Sequence, residues 1–221
     1  ATDVDQLRAS LQQSRSHLSE PSDKRWRKHI GIDDQPQTAS IRSSGWISTP
    51  TGRGGYLHDY AYDWKKHRVP PKQVERANPL QFMLLDAASR ALWKDGQPSE
   101  EVLKSNHGES TCVIVGTIFG GEFGHQLQIG LRLQPLLDET GSFTSSTLAS
   151  RITKQFHLMG GAMAIDAGDC SAEAALATAL SLLRCGVVDR VVCAAGQRAM
   201  DLPSFQTWAS QNRLNLQTDK L

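Results

Sequence analysis

The chain has 221 residues, of which 39% are hydrophobic, which suffices for one domain with an apolar core or for part of a larger one. Its formal net charge of +1 gives no electrostatic argument for binding nucleic acid. Neither end carries an apolar run long enough to span a membrane or to serve as the core of a signal peptide. The sequence therefore predicts a cytoplasmic protein without a membrane span.

The four cysteines are at positions 112, 170, 185 and 193 and show no C-x-x-C spacing. They lie mostly in apolar segments, where thiols are typically buried and inert in a reducing cytoplasm. The sequence therefore predicts neither a disulfide framework nor a metal site. We expect Cys112, Cys185 and Cys193 to be packing residues that react more slowly than Cys170.

The N-terminal part of the chain combines a helical pattern with long polar segments. Apolar residues at helical spacing, from Val4 to Leu18, predict a first helix before the turn at residues 20–22. The basic run at residues 24–28 surrounds a tryptophan, and we interpret it as a solvated surface rather than a nucleic-acid site. Residues 31–65 are rich in Gly, Ser, Thr and Pro and predict an irregular surface excursion.

Two apolar segments follow the excursion. From Lys72 to about Asp95 the pattern is helical, with a break at Asn78-Pro79. Residues 111–117 form a short β-rich apolar run, which is typical of a buried strand. The helix is expected to bury one apolar face, made of Leu80, Met83, Leu84, Ala87, Ala88, Ala91 and Leu92.

The last third of the chain carries the pattern most specific for function. Residues 163–166 and 190–196 predict apolar strands, and Ser171 to about Arg184 predict a helix between them. Small residues alternate with leucines on nearly every side of this helix, so we expect it to be buried on all sides. The turn at residues 168–170 then lies at the positive helix end, where a thiol loses its proton more readily and an oxyanion is stabilised. That is a position for a nucleophile.

This pattern resembles the β-ketoacyl synthases, the condensing enzymes of polyketide and fatty-acid assembly. Their nucleophile turn reads D-T-A-C-S and leads into a buried helix that ends in leucine-arginine-x-glycine, whereas this chain reads I-D-A-G-D-C-S and later L-R-C-G. The segment N-P-L-Q-F-M-L-L-D resembles part of the family's D-P-Q-Q-R-x-x-L-E motif, and A-A-G resembles its A-G-G strand end. Counted forward from Arg151 and back from Arg184, the nucleophile position falls on Asp169, and Cys170 stands one residue late.

The resemblance implies an α/β, thiolase-like layered fold in which helices pack on a mixed sheet. It covers residues 1–221 as the N-terminal half of a ketosynthase-like domain, with residues 31–65 as the excursion and residues 111–221 as the nucleophile-bearing sheet and helices. None of the seven histidines stands in a catalytic motif of the family. We therefore expect the family's catalytic histidines to lie beyond Leu221 or on a partner chain.

The resemblance also implies the partners of the chain. An acyl carrier protein would present acyl groups on its phosphopantetheine arm, so this chain would bind no cofactor directly. The remaining ketosynthase half or a partner subunit would complete the fold, and the assembly would be a dimer. Neither nucleic acid nor a membrane is expected as a partner.

Two roles are open for Asp169. As a catalyst, an aspartate is poorly suited, because a mixed anhydride hydrolyses readily and the carboxylate charge opposes a neighbouring oxyanion. As a helix N-cap, its carboxylate would accept backbone N–H groups at the positive helix end. The sequence favours the N-cap.

Three functions stay open. The first is a ketosynthase-like component that does not elongate acyl chains and supports a polyketide or fatty-acid synthase by pairing with its other parts. The second is an active β-ketoacyl synthase, an acyltransferase that uses Cys170 with histidines from outside this chain. The third is a loading domain that only decarboxylates malonyl groups, which would need the same histidines.

Overall fold

A computed structural model of the chain describes residues 4–20, 53–58, 60–94, 97–98, 110–118, 145–197 and 202–214. The chain divides into two compact units, one made of residues 1–60 and 199–221 and the other of residues 61–198. The described helices and strands are, in chain order, α1 (Val4–Gln12), α2 (Pro71–Arg76), α3 (Pro79–Leu92), β1 (Trp93–Lys94), β2 (Gln97–Pro98), β3 (Thr111–Gly116), α4 (Ser146–Phe156), β4 (Ala162–Ile165), α5 (Ser171–Arg184), β5 (Arg190–Ala195) and α6 (Leu202–Ser210).

The larger unit is built on a three-stranded sheet with β3 in the middle, β4 on one side and β5 on the other. Both pairings are parallel, and Ile114 of β3 lies opposite Met163 of β4 and Cys193 of β5. The two-residue strands β1 and β2 form a separate antiparallel pair. Strands β3, β4 and β5, and helix α5 between β4 and β5, lie where the sequence predicts them.

Helices cover both faces of β3. Because side chains alternate along a strand, Val113 and Val115 point to one face and Cys112 and Ile114 to the other. The first pair packs with residues of α3 and α4, and the second pair packs with residues of α5. The predicted α/β layered fold is confirmed. All six residues of β3 are buried, as a strand covered on both faces requires.

The helix predicted from Lys72 is interrupted where the sequence places the break. The Leu80 backbone N–H donates to the side-chain oxygen of Asn78 over 2.7 Å, so Asn78 caps the start of α3. Pro79 stands at the first helical position, where its missing N–H costs no intrahelical bond. The helix ends at Leu92 rather than Asp95, since the chain continues there into β1.

The predicted apolar face of α3 is only partly correct. Leu80, Leu84 and Ala88 are buried against the sheet, whereas Ala87 and Ala91 are exposed. Residues outside that face are buried as well, because a second cluster covers another side of the helix. That cluster consists of Phe82, Val69 and Ala77, with Tyr62 and Val74 against it.

The prediction that α5 is buried on all sides is wrong for this chain. Only Ser171, Ala175 and Ala179 are buried, and they form the side that faces the sheet. Within the described residues nothing covers the opposite side, so its leucines remain accessible. The exposed fractions are 54% for Leu176, 44% for Leu180 and 39% for Leu183.

The smaller unit contains α1, which ends at Gln12, six residues before Leu18, and none of its residues is buried. Ser19 and Gly54 pair through two backbone hydrogen bonds of 3.0 and 2.9 Å. The described part of the predicted excursion, residues 53–58 and 60–65, has no helix and no strand beyond this bridge. Most of the excursion and the basic run at residues 24–28 lie outside the described residues. Among the helices that are described, none is long and apolar enough to cross a membrane.

The end of β3 lies in direct backbone contact with the start of α5. A Cβ atom placed on Gly116 would overlap the carbonyl of Ser171 and would stand 3.1 Å from the Cα of Ala172. These are backbone atoms, which cannot rotate away as a flexible side chain does. Only a glycine fits at this strand end.

We therefore expect Gly116→Ala to lower the free energy of unfolding by about 1–3 kcal/mol, the usual cost of overpacking. The matched control is Gly55→Ala, because a Cβ at Gly55 meets nothing within 4 Å. Urea unfolding followed by circular dichroism measures both. Equal midpoints for the two variants would contradict the contact at Gly116.

Candidate functional site

The turn between β4 and α5 lies at the edge of the sheet where the three parallel strands end. The Thr117 N–H donates to the carbonyl of Ile165 over 3.0 Å, and the Gly196 N–H donates to the carbonyl of Gly116 over 3.0 Å. These bonds keep the three strand ends side by side. In open α/β sheets this edge is the usual location of functional sites.

Residues 166–170 form a tight turn with its own hydrogen bonds. The Gly168 N–H donates to the Asp166 carboxylate over 3.0 Å, which closes an Asx turn. Gly168 has a φ of 60°, a left-handed conformation that a glycine adopts without strain. The Cys170 N–H then donates to the carbonyl of Ala167 over 3.3 Å. The chain thus reverses between the strand and the helix within five residues.

Ser171, the first residue of α5, fastens the turn to the helix. Its buried hydroxyl donates to the carbonyl of Gly168 over 2.6 Å and accepts from the Ala167 N–H over 3.0 Å. Ser171 is not among the site residues predicted from the sequence. A serine at the start of a predicted helix, directly after a turn that contains Gly and Asp, is the signal that would have indicated it.

The structure brings Asp169 and Cys170 together at the exposed outer side of this turn. The N-cap residue of α5 is Cys170, with φ −97° and ψ 18°, and its side chain makes no capping hydrogen bond. The prediction that Asp169 is the N-cap is therefore wrong by one position. The reason is that the chain becomes helical only at Ser171, whose hydroxyl bonds hold the turn.

Acidic side chains surround the start of α5. Asp166 and Asp169 belong to the turn, and Glu173 stands in the first helical turn. Negative charge is favourable at this end of a helix, because the macrodipole is positive there. In the part of the chain that the structure describes, no three His, Cys, Asp or Glu side chains are placed to hold a metal ion.

The cysteines differ from the prediction in their exposure. Cys112 is buried, which confirms that it is a packing residue. Burial also raises the pKa of its thiol. Cys185 and Cys193 are exposed, which contradicts their prediction as buried residues. Cys185 is the C-cap residue of α5, and Cys193 lies on β5 at the edge of the described sheet. Partial shielding of the sulfur still raises the pKa of Cys193.

The described histidines of the larger unit, His67 and His157, lie away from the turn. His157 is the C-cap residue of α4 and precedes β4, so it lies at the amino end of the strand whose carboxyl end carries the turn. The ring of His67 lies 6.2 Å from that of Phe156, next to His157. Neither histidine is placed to act on a group at Asp169 or Cys170.

Comparisons with known proteins agree with this geometry. The family model described as "Beta-ketoacyl synthase, N-terminal domain" matches residues 1–219. A hybrid PKS-NRPS synthetase of a Fusarium species is 31% identical over 156 residues, which cover 71% of this chain and 4% of that protein. The chain therefore spans only a small part of this relative.

Solved structures share the fold. An oxazolomycin ketosynthase domain of Streptomyces albus JA3453 superposes with a TM-score of 0.72 at 21% identity, covering 95% of this chain and 34% of that one. The ishigamide ketosynthase/chain length factor gives a TM-score of 0.60 at 15% identity, covering 95% of this chain and 51% of that one. Together with the family model, the thiolase-like sheet and its turn show that this chain belongs to the β-ketoacyl synthase family and carries the N-terminal domain of a ketosynthase.

Proposed function

We propose that the chain is a ketosynthase-like component that does not elongate acyl chains and that acts by pairing with other parts of a polyketide synthase. The proposal is supported by the sequence register of the turn, which, counted from Arg151 and from Arg184, assigns the position of the family's nucleophile to Asp169. Condensation needs a thiolate that holds the acyl group as a stable thioester. An aspartate would form a mixed anhydride, which water hydrolyses readily.

The contacts at the start of α5 support this register. The Ser171 hydroxyl is bonded to two residues of the turn, and the Ser171 backbone lies against Gly116. Bringing Cys170 into the place of Asp169 would shift the helix by one residue and rotate it by about 100°. Such a shift would break both contacts, so they oppose it.

The charge around the turn also supports a site without condensing activity. Asp166 and Asp169 are acidic residues exposed at the turn. This charge repels an anionic malonyl group. It also opposes the oxyanion that forms when an acyl group is transferred.

The uncovered side of α5 supports pairing with another protein surface. Leu176, Leu180 and Leu183 form one exposed stripe, and Val187 beyond the helix end is 64% exposed. Exposed apolar stripes of this kind mark interaction surfaces. The edge strand β4 adds an unpaired edge within the described sheet, and its first residue is exposed. We propose that the remaining ketosynthase half or a partner subunit covers this stripe and that the assembly is a dimer.

The solved structure named above is described as a ketosynthase/chain length factor, which agrees with such pairing. By the same family relationship, the assembly proposed here would receive acyl groups on the phosphopantetheine arm of an acyl carrier protein. This chain itself would hold no cofactor.

A second candidate function rests on one observation, the exposure of Cys170 at the positive end of α5. A thiol at a helix N-terminus forms a thiolate more readily. The candidate is an active β-ketoacyl synthase in which Cys170 takes the acyl group and histidines from outside this chain assist decarboxylation. An acylation experiment separates the two functions.

The acylation prediction compares the intact assembly, including the histidine-bearing part, with two variants. We expect no acyl adduct on the wild-type peptide containing residues 169–170 after incubation with an acyl-carrier thioester. We expect a stable adduct on Asp169→Cys, because a thiol then stands at the nucleophile position. Peptide mass spectrometry reads both results.

The control for acylation is Cys170→Ala. A stable adduct on the wild type that disappears in this variant would refute the proposal of a component that does not elongate acyl chains. It would establish the second candidate function, an active β-ketoacyl synthase that uses Cys170. An adduct on neither the wild type nor Asp169→Cys would contradict the assignment of the nucleophile position.

The pairing prediction concerns the exposed stripe of α5. We expect the purified chain to form species larger than a monomer, and we expect Leu180→Glu to shift it toward the monomer, because a buried carboxylate disfavours an apolar contact. Ser181→Glu is the matched control, since it adds the same charge on the polar side of the same helix. Light scattering measures the mass. A compact wild-type monomer, or equal behaviour of both variants, would contradict the interface.

A further inference from the structure

Residues 62–67 form a short segment, called here the latch segment, that packs on α3 and α4 away from the turn. Within it, the Tyr62 hydroxyl and Nδ1 of His67 share a hydrogen bond of 2.9 Å. The two rings are nearly parallel, with their centroids 5.8 Å apart. Only 3% of the His67 surface is exposed, so its imidazole is almost excluded from water.

Two contacts attach the latch segment to α3. The Tyr62 ring stacks on Phe82 with a centroid distance of 4.6 Å. Nζ of Lys66 lies 3.1 Å from Oδ1 of Asp86, and the Asp86 side chain is only 12% exposed. A partly buried ion pair is less screened by water than a surface pair. The segment is therefore held by one stacked ring and one charge pair.

The same segment is attached to α4 by aromatic and cationic contacts. The His67 ring meets the edge of Phe156, the last residue of α4, at 6.2 Å. On the neighbouring turn, Nε of Arg151 donates to the side-chain oxygen of Gln81 over 2.8 Å, and its guanidinium lies 5.1 Å from the centre of the Phe82 ring. Phe82 thus contacts both Tyr62 and Arg151. His67, Tyr62, Phe82 and Arg151 form one continuous row across three parts of the chain.

The burial of His67 opposes its protonation. Burial lowers the pKa of His67 below its ordinary value of 6.5, and the Lys66 ammonium lowers it further, whereas Asp86 of α3 and Asp63 of the segment act in the opposite direction. The group of α4 that faces His67 is the uncharged ring of Phe156. Burial also raises the pKa of Tyr62 to about 12, so its hydroxyl keeps its proton. A proton on His67 thus adds an imidazolium that lacks water and lies beside a second cation.

We propose that the latch segment opens when His67 gains a proton and detaches from α3 and α4 while the three-stranded sheet stays folded. Tyr62 packs against both the cluster around Phe82 and the cluster that contains Val113 and Val115. Opening therefore removes the Tyr62 ring from the rim of the second cluster, whereas the buried members of that cluster belong to the sheet and its helices and stay in place. Opening exposes Phe82 and the Gln81–Arg151 pair. It also removes the contact of His67 with Phe156, which stands six residues before the first residue of β4.

The sign of the pH dependence follows from proton linkage. In the open segment His67 is solvated and has its ordinary pKa, so the open form binds a proton more readily than the closed form. Closure is fully favoured above the ordinary pKa and is lost as the pH falls toward the lower pKa of the closed form. One proton changes the open population by up to about tenfold per pH unit in that window.

The test is hydrogen exchange of the full chain, read by mass spectrometry at pH 7.5, 6.5 and 5.5 and corrected for intrinsic exchange rates. We expect exchange in residues 62–67 to rise by about fivefold to tenfold per pH unit in the acidic step, with residues 111–116 unchanged. His67→Gln keeps a hydrogen-bonding side chain but does not titrate, and we expect it to remove the pH dependence. His58→Gln, which replaces a histidine outside the segment, should behave as the wild type.

A second measurement does not depend on any variant. The imidazole Cε1–H resonance of His67 in the wild-type protein should titrate over the same pH range as the increase in exchange. The proposal is overturned if His67→Gln keeps the wild-type pH dependence, if His67 does not titrate while the segment opens, or if residues 111–116 lose protection together with residues 62–67.

Discussion

Gly116, the last residue of β3, lies against the backbone of Ser171 and Ala172. This contact determines where α5 begins relative to the sheet. The Ser171 hydroxyl then fixes the preceding turn, so the strand, the turn and the helix have one common register. That register decides which residue stands at the nucleophile position. The proposed assignment of Asp169 to the nucleophile position therefore depends on a backbone contact made by a glycine on a different strand.

Much of this arrangement could be predicted from the sequence because it is local. The apolar runs of β3 and β5 and the helical spacing of α5 are periodic patterns, and Asn78-Pro79 is a capping signal within one turn of the chain. The exposed side of α5 could not be predicted. A helix of alanines and leucines has the same composition whether its own chain or another chain covers it, so the pattern indicates burial without naming the partner.

The contacts of the latch segment and the cap of α5 could not be predicted from the sequence either, for different reasons. Arg151 and Gln81 are 70 residues apart, and no periodic pattern reports which side chains meet across such a separation. The cap of α5 was misplaced by a single residue. Either Asp169 or Cys170 is compatible with the pattern of apolar residues, and the dihedral angles of the turn choose between them.

The backbone pairing of Ser19 with Gly54 brings the two ends of the intervening chain side by side. The entropy cost of bringing two chain positions together grows only with the logarithm of their separation in sequence, by about 0.6 kcal/mol for each doubling. A bridge between positions 19 and 54 therefore costs only slightly more closure entropy than a bridge between positions that are nearer in sequence. Two backbone hydrogen bonds can thus hold together two points of the chain that are far apart in sequence.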